Sequence, residues 1–226
     1  GTVLVKDINP GTSSSNPGAF TVAGGTIFFT ANTGIDDYAL WKTDGTEAGT
    51  VLVKDTNPGT SARLPGNLTN VNGTLFFSAD NNTNGYELWK SDGTTAGTVM
   101  VKDIYPGING SFPEYLTNLN GTLYFRAGDS TTGWELWKSD GTAAGTVMVK
   151  DIRAGSGSGN PQFLTNINGT LYFSGSSSIN DTELWKSDGT AAGTVMVKDI
   201  VAGSLGSYPQ NLTNAGGTLF FLAENG

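Results

Sequence analysis

The chain contains neither cysteine nor histidine. That excludes disulfide cross-links, thiolate zinc sites, cysteine nucleophiles and any triad that uses imidazole as its base. Basic residues are also few: twelve Lys plus Arg stand against twenty acids, for a formal charge of -8. A nucleic-acid partner would need a basic stripe to neutralise phosphates, so none is expected. No apolar run approaches the roughly eighteen residues of a membrane-spanning helix, and no leader pattern is visible. Uninterrupted helical stretches are missing too, because Gly, Pro, Asn or paired Thr breaks each candidate. Only 14% of residues are charged, yet 10% are aromatic, which argues against disorder and for packed cores. The expectation is a soluble, all-β chain.

What is abundant is glycine, 33 residues of 226, and it recurs with a period. The stretch GTVLVKDI at residue 1 returns as GTVLVKDT at 49 and as GTVMVKDI at 97, 145 and 193, a spacing of 48 each time. One propeller domain over 1–226 is expected, with a closing strand at 1–8, complete units at 9–56, 57–104, 105–152 and 153–200, and a partial unit at 201–226.

Within 105–152, YLTNL, Asn120-Gly121 and TLYFRA form a hairpin signature, since Asn-Gly supplies the two positive φ angles of a type I′ turn. WELWKSD, GTAAGT and VMVKDI make a second hairpin with a longer connection. Each unit therefore has four antiparallel strands. The second (LYF, or LFF at 75–77) is apolar at consecutive positions, which predicts cover on both faces. Repeated four-stranded sheets point to a five-bladed β-propeller of 48-residue blades. A linear β-solenoid competes, but its coils are usually shorter and pair in parallel. The N-terminal strand, Val3 to Ile8, is expected to pair into the last blade and close the ring, leaving that blade short of its third strand.

The third strands read ALWKTDGT at 39 and ELWKSDGT at 87, 135 and 183, each followed by an x-Ala-Gly-Thr turn. This resembles the ELWxxDGT tandem repeats of large bacterial secreted or surface proteins. The first copy departs, with Ala39 for Glu and Thr43 for Ser. The resemblance implies an extracellular repeat module, secreted or at the cell surface, and says little about biochemical role.

Comparison of the units with one another separates fixed slots from variable ones. All nine lysines fall in VKD or LWK, and Asp44, Asp92, Asp140, Asp188, Glu87, Glu135 and Glu183 recur in the same way. They are expected to pair across the third and fourth strands. Trp41, Trp89, Trp137 and Trp185 are expected to pack between blades. Five of the remaining acids, Asp36, Asp37, Asp80, Asp129 and Asp181, lie in connections between second and third strands, where one variable, acidic face should form. Loops on a rigid scaffold are where binding residues gather. The candidate ligand-binding residues are Tyr86, Tyr105, Phe112, Arg126 and Trp134, with Tyr115, Tyr208 and Thr182 nearby in the pattern; burial against the next blade is the competing explanation. Asp80, Asn82 and Asn84 begin a D-x-N-x-N-G loop, which suggests calcium, although Ser91 stands where a bidentate Glu belongs and a plain polar loop is the alternative. No cofactor is required.

These features predict a chain that is not an enzyme but an extracellular binding or adhesion module, presenting one face to a glycan or a cell-surface protein. The alternative is a structural unit of an extracellular layer or fibre, self-associating through its open strand edge.

Overall fold

The computed structural model describes residues 1–34, 38–59, 64–203 and 205–225. Among them there is no helix, so none long and apolar enough to cross a membrane. The chain divides into two compact units, residues 1–112 and 113–226.

The first unit holds two four-stranded antiparallel sheets. One is β1 (Gly18–Ala23), β2 (Thr26–Asn32), β3 (Tyr38–Thr43) and β4 (Val51–Lys54); the other is β5 (Gly66–Val71), β6 (Thr74–Asp80), β7 (Tyr86–Ser91) and β8 (Val99–Lys102). The second unit holds β9 (Glu114–Leu119), β10 (Thr122–Asp129), β11 (Gly133–Ser139) and β12 (Val147–Lys150), then β13 (Gln162–Ile167), β14 (Thr170–Ser178), β15 (Asp181–Ser187) and β16 (Val195–Lys198). A two-stranded sheet of β17 (Gln210–Ala215) and β18 (Thr218–Leu222) completes it.

Each first hairpin turns as its residues dictate. Asn120 and Gly121 take φ angles of 52° and 85° between the paired Leu119 and Thr122, which is the type I′ geometry that matches strand twist. The second strand is covered on both faces, as its consecutive apolar residues require: Phe28 and Phe29 are both buried, as are Phe76 and Phe77. In the first unit Phe28, Leu40 and Val53 of one sheet meet Leu75, Phe77 and Trp89 in one core. In the second, Leu119, Tyr124 and Leu136 meet Leu171, Phe173 and Trp185. All four tryptophans of the repeated slot are at most 8% exposed, so they are packing residues.

One expectation needs correction. Val3 to Ile8 forms no strand. A fourth strand needs a third to bond to, and this segment has none. It is held instead by Lys6, whose Nζ donates to Thr50 O at 2.8 Å, just as Lys54 Nζ donates to Thr98 O at 3.0 Å one repeat later. Several of the repeated charges also bond to the backbone. Lys42 and Lys138 donate to the carbonyls of Gly93 and Gly189, both at 2.8 Å. The Asp of each DGT turn accepts from the amide and hydroxyl of the Thr two residues on, as Asp140 does from Thr142. Backbone groups in turns and connections need partners, and a charged side chain at a fixed slot supplies one in every repeat.

Candidate functional site

The first strand of each sheet carries a β-bulge. In β13, Gln162 pairs with Ser174 but Thr165 pairs with Tyr172, so one extra residue is accommodated between them. Phe163 takes up the bulge at φ 55°, and Tyr115, Asn67, Ala19 and Asn211 adopt the same left-handed conformation in the other sheets. A second left-handed residue lies three positions earlier: Asn16, Phe112, Asn160 and Tyr208. Such angles are costly for bulky side chains. Their recurrence makes them a property of the repeat, and they bring two variable side chains per repeat towards variable side chains on the second and third strands.

In the sheet β9–β12 these slots are filled. Arg126 lies with its guanidinium 5.2 Å from the Tyr115 ring and 4.8 Å from the Trp134 ring, and it is ion-paired with Glu114, its cross-strand neighbour. Tyr115 in turn meets Phe163, with ring centroids 5.9 Å apart. One repeat later, the slots of Arg126 and Trp134 are taken by Ser174 and Thr182. The loss of bulk opens a cleft of about 510 Å³, lined by Asn160, Gln162, Phe163, Ser174, Thr182, Tyr208, Pro209 and Gln210. Tyr208 is anchored at its rim by its amide on Thr182 O at 3.0 Å and its hydroxyl on Asn180 O at 3.2 Å. None of the lining side chains is charged. Two aromatic rings, three side-chain amides and three hydroxyls, one of them Tyr208's, offer stacking surface together with both donors and acceptors.

Of the residues singled out from sequence, Arg126 and Trp134 come together, beside this cleft. Tyr86 and Phe112 stack on one another in the first unit, centroids 5.4 Å apart, with Phe112 41% exposed. Tyr105 lies at the start of the connection that leads to Phe112, its amide donating to Glu87 Oε1 at 3.1 Å. The sequence pattern marks Tyr208 and Thr182 but does not reveal the cleft they line. The available signal was the small size of Ser174 and Thr182 in slots that hold Arg and Trp one repeat earlier.

The acidic connections are bonded inwards. Asp80 is fully buried and accepts from Asn82 N at 2.5 Å, while Asn81 Oδ1 accepts from Asn84 N at 2.8 Å and Asn84 donates to Asp103 at 2.6 Å. Asp80 Oδ1 and Asn84 Oδ1 thus accept hydrogen bonds from within the loop itself. Burial works to raise the Asp129 carboxyl, but amides and hydroxyls of Thr131 and Thr132 outweigh it and hold it below the usual range. Asp181, Glu183 and Asp199 form an acidic cluster in the second unit. Asp36 and Asp37 lie outside the described residues.

Glu87, Glu135 and Glu183 are fully buried beneath the connections. Glu87 accepts from the amides of Ile104, Tyr105 and Ser111 and from the Ser111 hydroxyl, so it fastens the connection that carries Phe112. Glu183 does the same through Ile200 and Ser207, next to Tyr208. Burial pushes the carboxyls of Glu87 and Glu135 up to about 7 against the pull of these donors.

No family model and no curated protein matches the chain. Solved structures do. A puromycin hydrolase is 15% identical with a TM-score of 0.51, over 89% of this chain and 32% of its own. A prolyl endopeptidase is 12% identical with a TM-score of 0.51, over 78% of this chain and 25% of its own. An α-L-arabinofuranosidase from Clostridium thermocellum, 19% identical over 80% of this chain and 70% of its own, has a TM-score of 0.38. The likeness is to β-propellers. The chain spans a third or less of the first two proteins' length. The hydrolase and the endopeptidase are enzymes with propeller domains, which overturns the expectation that a chain of this build is not an enzyme. The missing imidazole and thiol exclude only the routes that need them.

Proposed function

We propose that the chain is a five-bladed propeller of the ELWxxDGT repeat type, displayed outside the cell, that binds a neutral glycan in the cleft between Phe163 and Tyr208. The observation that supports this reading is the lining: two aromatic rings with Asn160, Gln162, Gln210, Ser174 and Thr182, and no charge among them. Sugar rings present apolar C–H faces and a fringe of hydroxyls, so they are matched by aromatic stacking and by groups that both donate and accept. A cleft of about 510 Å³ is within the usual range of small-molecule sites. The bulge residue Phe163 and the connection residue Tyr208 belong to the rigid repeat, so the surface is held in place before a ligand arrives. A glycan array probed with the labelled chain, with calcium and with chelator, tests the proposal. Retention of uncharged saccharides is expected. Retention of none in either condition overturns it.

A further inference from the structure

In each four-stranded sheet the residue that opens the first strand lies opposite one slot on the second strand, and the pair changes from repeat to repeat. Gly18 faces Thr30, Gly66 faces Ser78, Glu114 faces Arg126 and Gln162 faces Ser174. In the sheet β9–β12 the two long side chains satisfy each other as an ion pair. In the sheet β13–β16 a long amide is set against a short hydroxyl instead. Among the described residues neither the Gln162 amide nor the Ser174 hydroxyl has a hydrogen-bond partner, and both residues line the cleft. Gln162 is partly buried and Ser174 is 3% exposed, whereas the other two amides of the lining, Asn160 and Gln210, stand in solvent. Water serves an exposed amide whether or not the cleft is filled. A partly buried one depends on what fills it, so the cost of a mismatched ligand concentrates at Gln162 and Ser174.

We propose that Gln162 and Ser174 are the reading edge of the cleft, and that the saccharide they select presents two adjacent unsubstituted hydroxyls, a vicinal diol. This rests on the glycan reading and names its ligand class. A carboxamide carries an acceptor and a donor group side by side in one plane. Neighbouring ring hydroxyls can each give and take a proton, so one donates to Gln162 Oε1 while the next accepts from Nε2. A sugar that lacks one of them, or carries an alkyl group on it, leaves half of the amide unpaired in the occupied cleft. Phe163 follows Gln162 directly and is fixed in the bulge at φ 55°, so stacking surface and amide come from adjacent residues of one rigid segment. Stacking accepts any sugar with an apolar face; the amide chooses among them.

NMR titration of methyl pyranosides of glucose, galactose and mannose, each beside its monodeoxy and mono-O-methyl counterparts, into the wild-type chain and Gln162→Met tests the proposal. At least one parent pyranoside should saturate the wild-type chain. Loss of either of two adjacent hydroxyls should weaken its binding about tenfold or more. Gln162→Met keeps the length of the side chain and removes the amide. It should weaken the parent by a similar factor and the matching deoxy sugar by little more, because the two changes remove the same bonds. Spectral dispersion shows whether the variant is folded, and the deoxy series on the wild-type chain decides alone should it not be. Unchanged affinity in folded Gln162→Met, or deoxy sugars that all bind as tightly as their parents, overturns this inference and leaves the glycan reading standing. Failure of every pyranoside to saturate the wild-type chain overturns it too, and an array that retains no glycan overturns the reading beneath it.

Discussion

Glu135 sits with no exposed surface and accepts from the amides of Ile152 at 2.8 Å and Gly159 at 2.6 Å. Truncation would leave both donors buried without an acceptor, and each such group costs about 1–3 kcal/mol. Glu135→Ala should therefore lower the stability of the chain by about 2–4 kcal/mol in urea unfolding. The same carboxyls give a pH dependence of definite sign. Glu87 and Glu135 rise from an ordinary 4.5 to about 7 through burial, with Asp151 adding to the rise at Glu135. The native state then holds protons that the unfolded chain releases, so the stabilisation is full below about 4.5 and is lost as pH rises through about 7. Turn carboxylates such as Asp44, Asp92 and Asp188 are shifted the other way, downwards, by their Thr donors, and stay ionised throughout this window. The urea midpoint should be higher at pH 5 than at pH 8, and the difference should shrink in Glu87→Gln/Glu135→Gln. A midpoint that rises between these values would contradict the assignment.

At the level of elements, the turn at Asn120-Gly121 and the doubly covered second strand follow from sequence because they depend on neighbours a few residues apart. Asn120→Val should cost about 1–2 kcal/mol, since a β-branched residue resists the left-handed φ of 52° that the turn requires. The measurement is again a urea midpoint, with the exposed Val3→Ala as the neutral control. The cleft could not be read in this way. It depends on residues from three strands and from the start of β17, on a bulge that re-aims Phe163, and on what is missing at Ser174 and Thr182. The charged slots are only partly legible for a related reason. Constant Lys, Asp and Glu suggest ion pairs by their opposite signs, but Lys42, Lys138, Asp140 and Glu87 also bond to carbonyls and amides, which every residue carries and no sequence distinguishes. The preceding repeat shows how the cleft is closed. Ser174→Arg/Thr182→Trp should install the Arg126–Trp134 arrangement, fill the space and leave the unfolding midpoint nearly unchanged, while glycan affinity falls tenfold or more.

On the scale of the whole molecule, the period of 48 organised the chain correctly into repeated four-stranded sheets, and the comparisons agree with a propeller-like fold. The net charge of -8 bears on solubility and long-range attraction. It does not enter the cleft, whose lining is uncharged. Affinity for a neutral ligand should accordingly change little between about 20 mM and 500 mM salt, a range over which the Debye length falls severalfold. A steep loss of affinity with salt would point to a charged ligand and a different surface. The central claim is that the Phe163–Tyr208 cleft is the ligand site. Its most direct test is calorimetric titration of the best-retained neutral glycan into the wild-type chain and into Ser174→Arg/Thr182→Trp. The account predicts one-site binding to the first and none to the second, with both equally folded. Equal binding to both would contradict it.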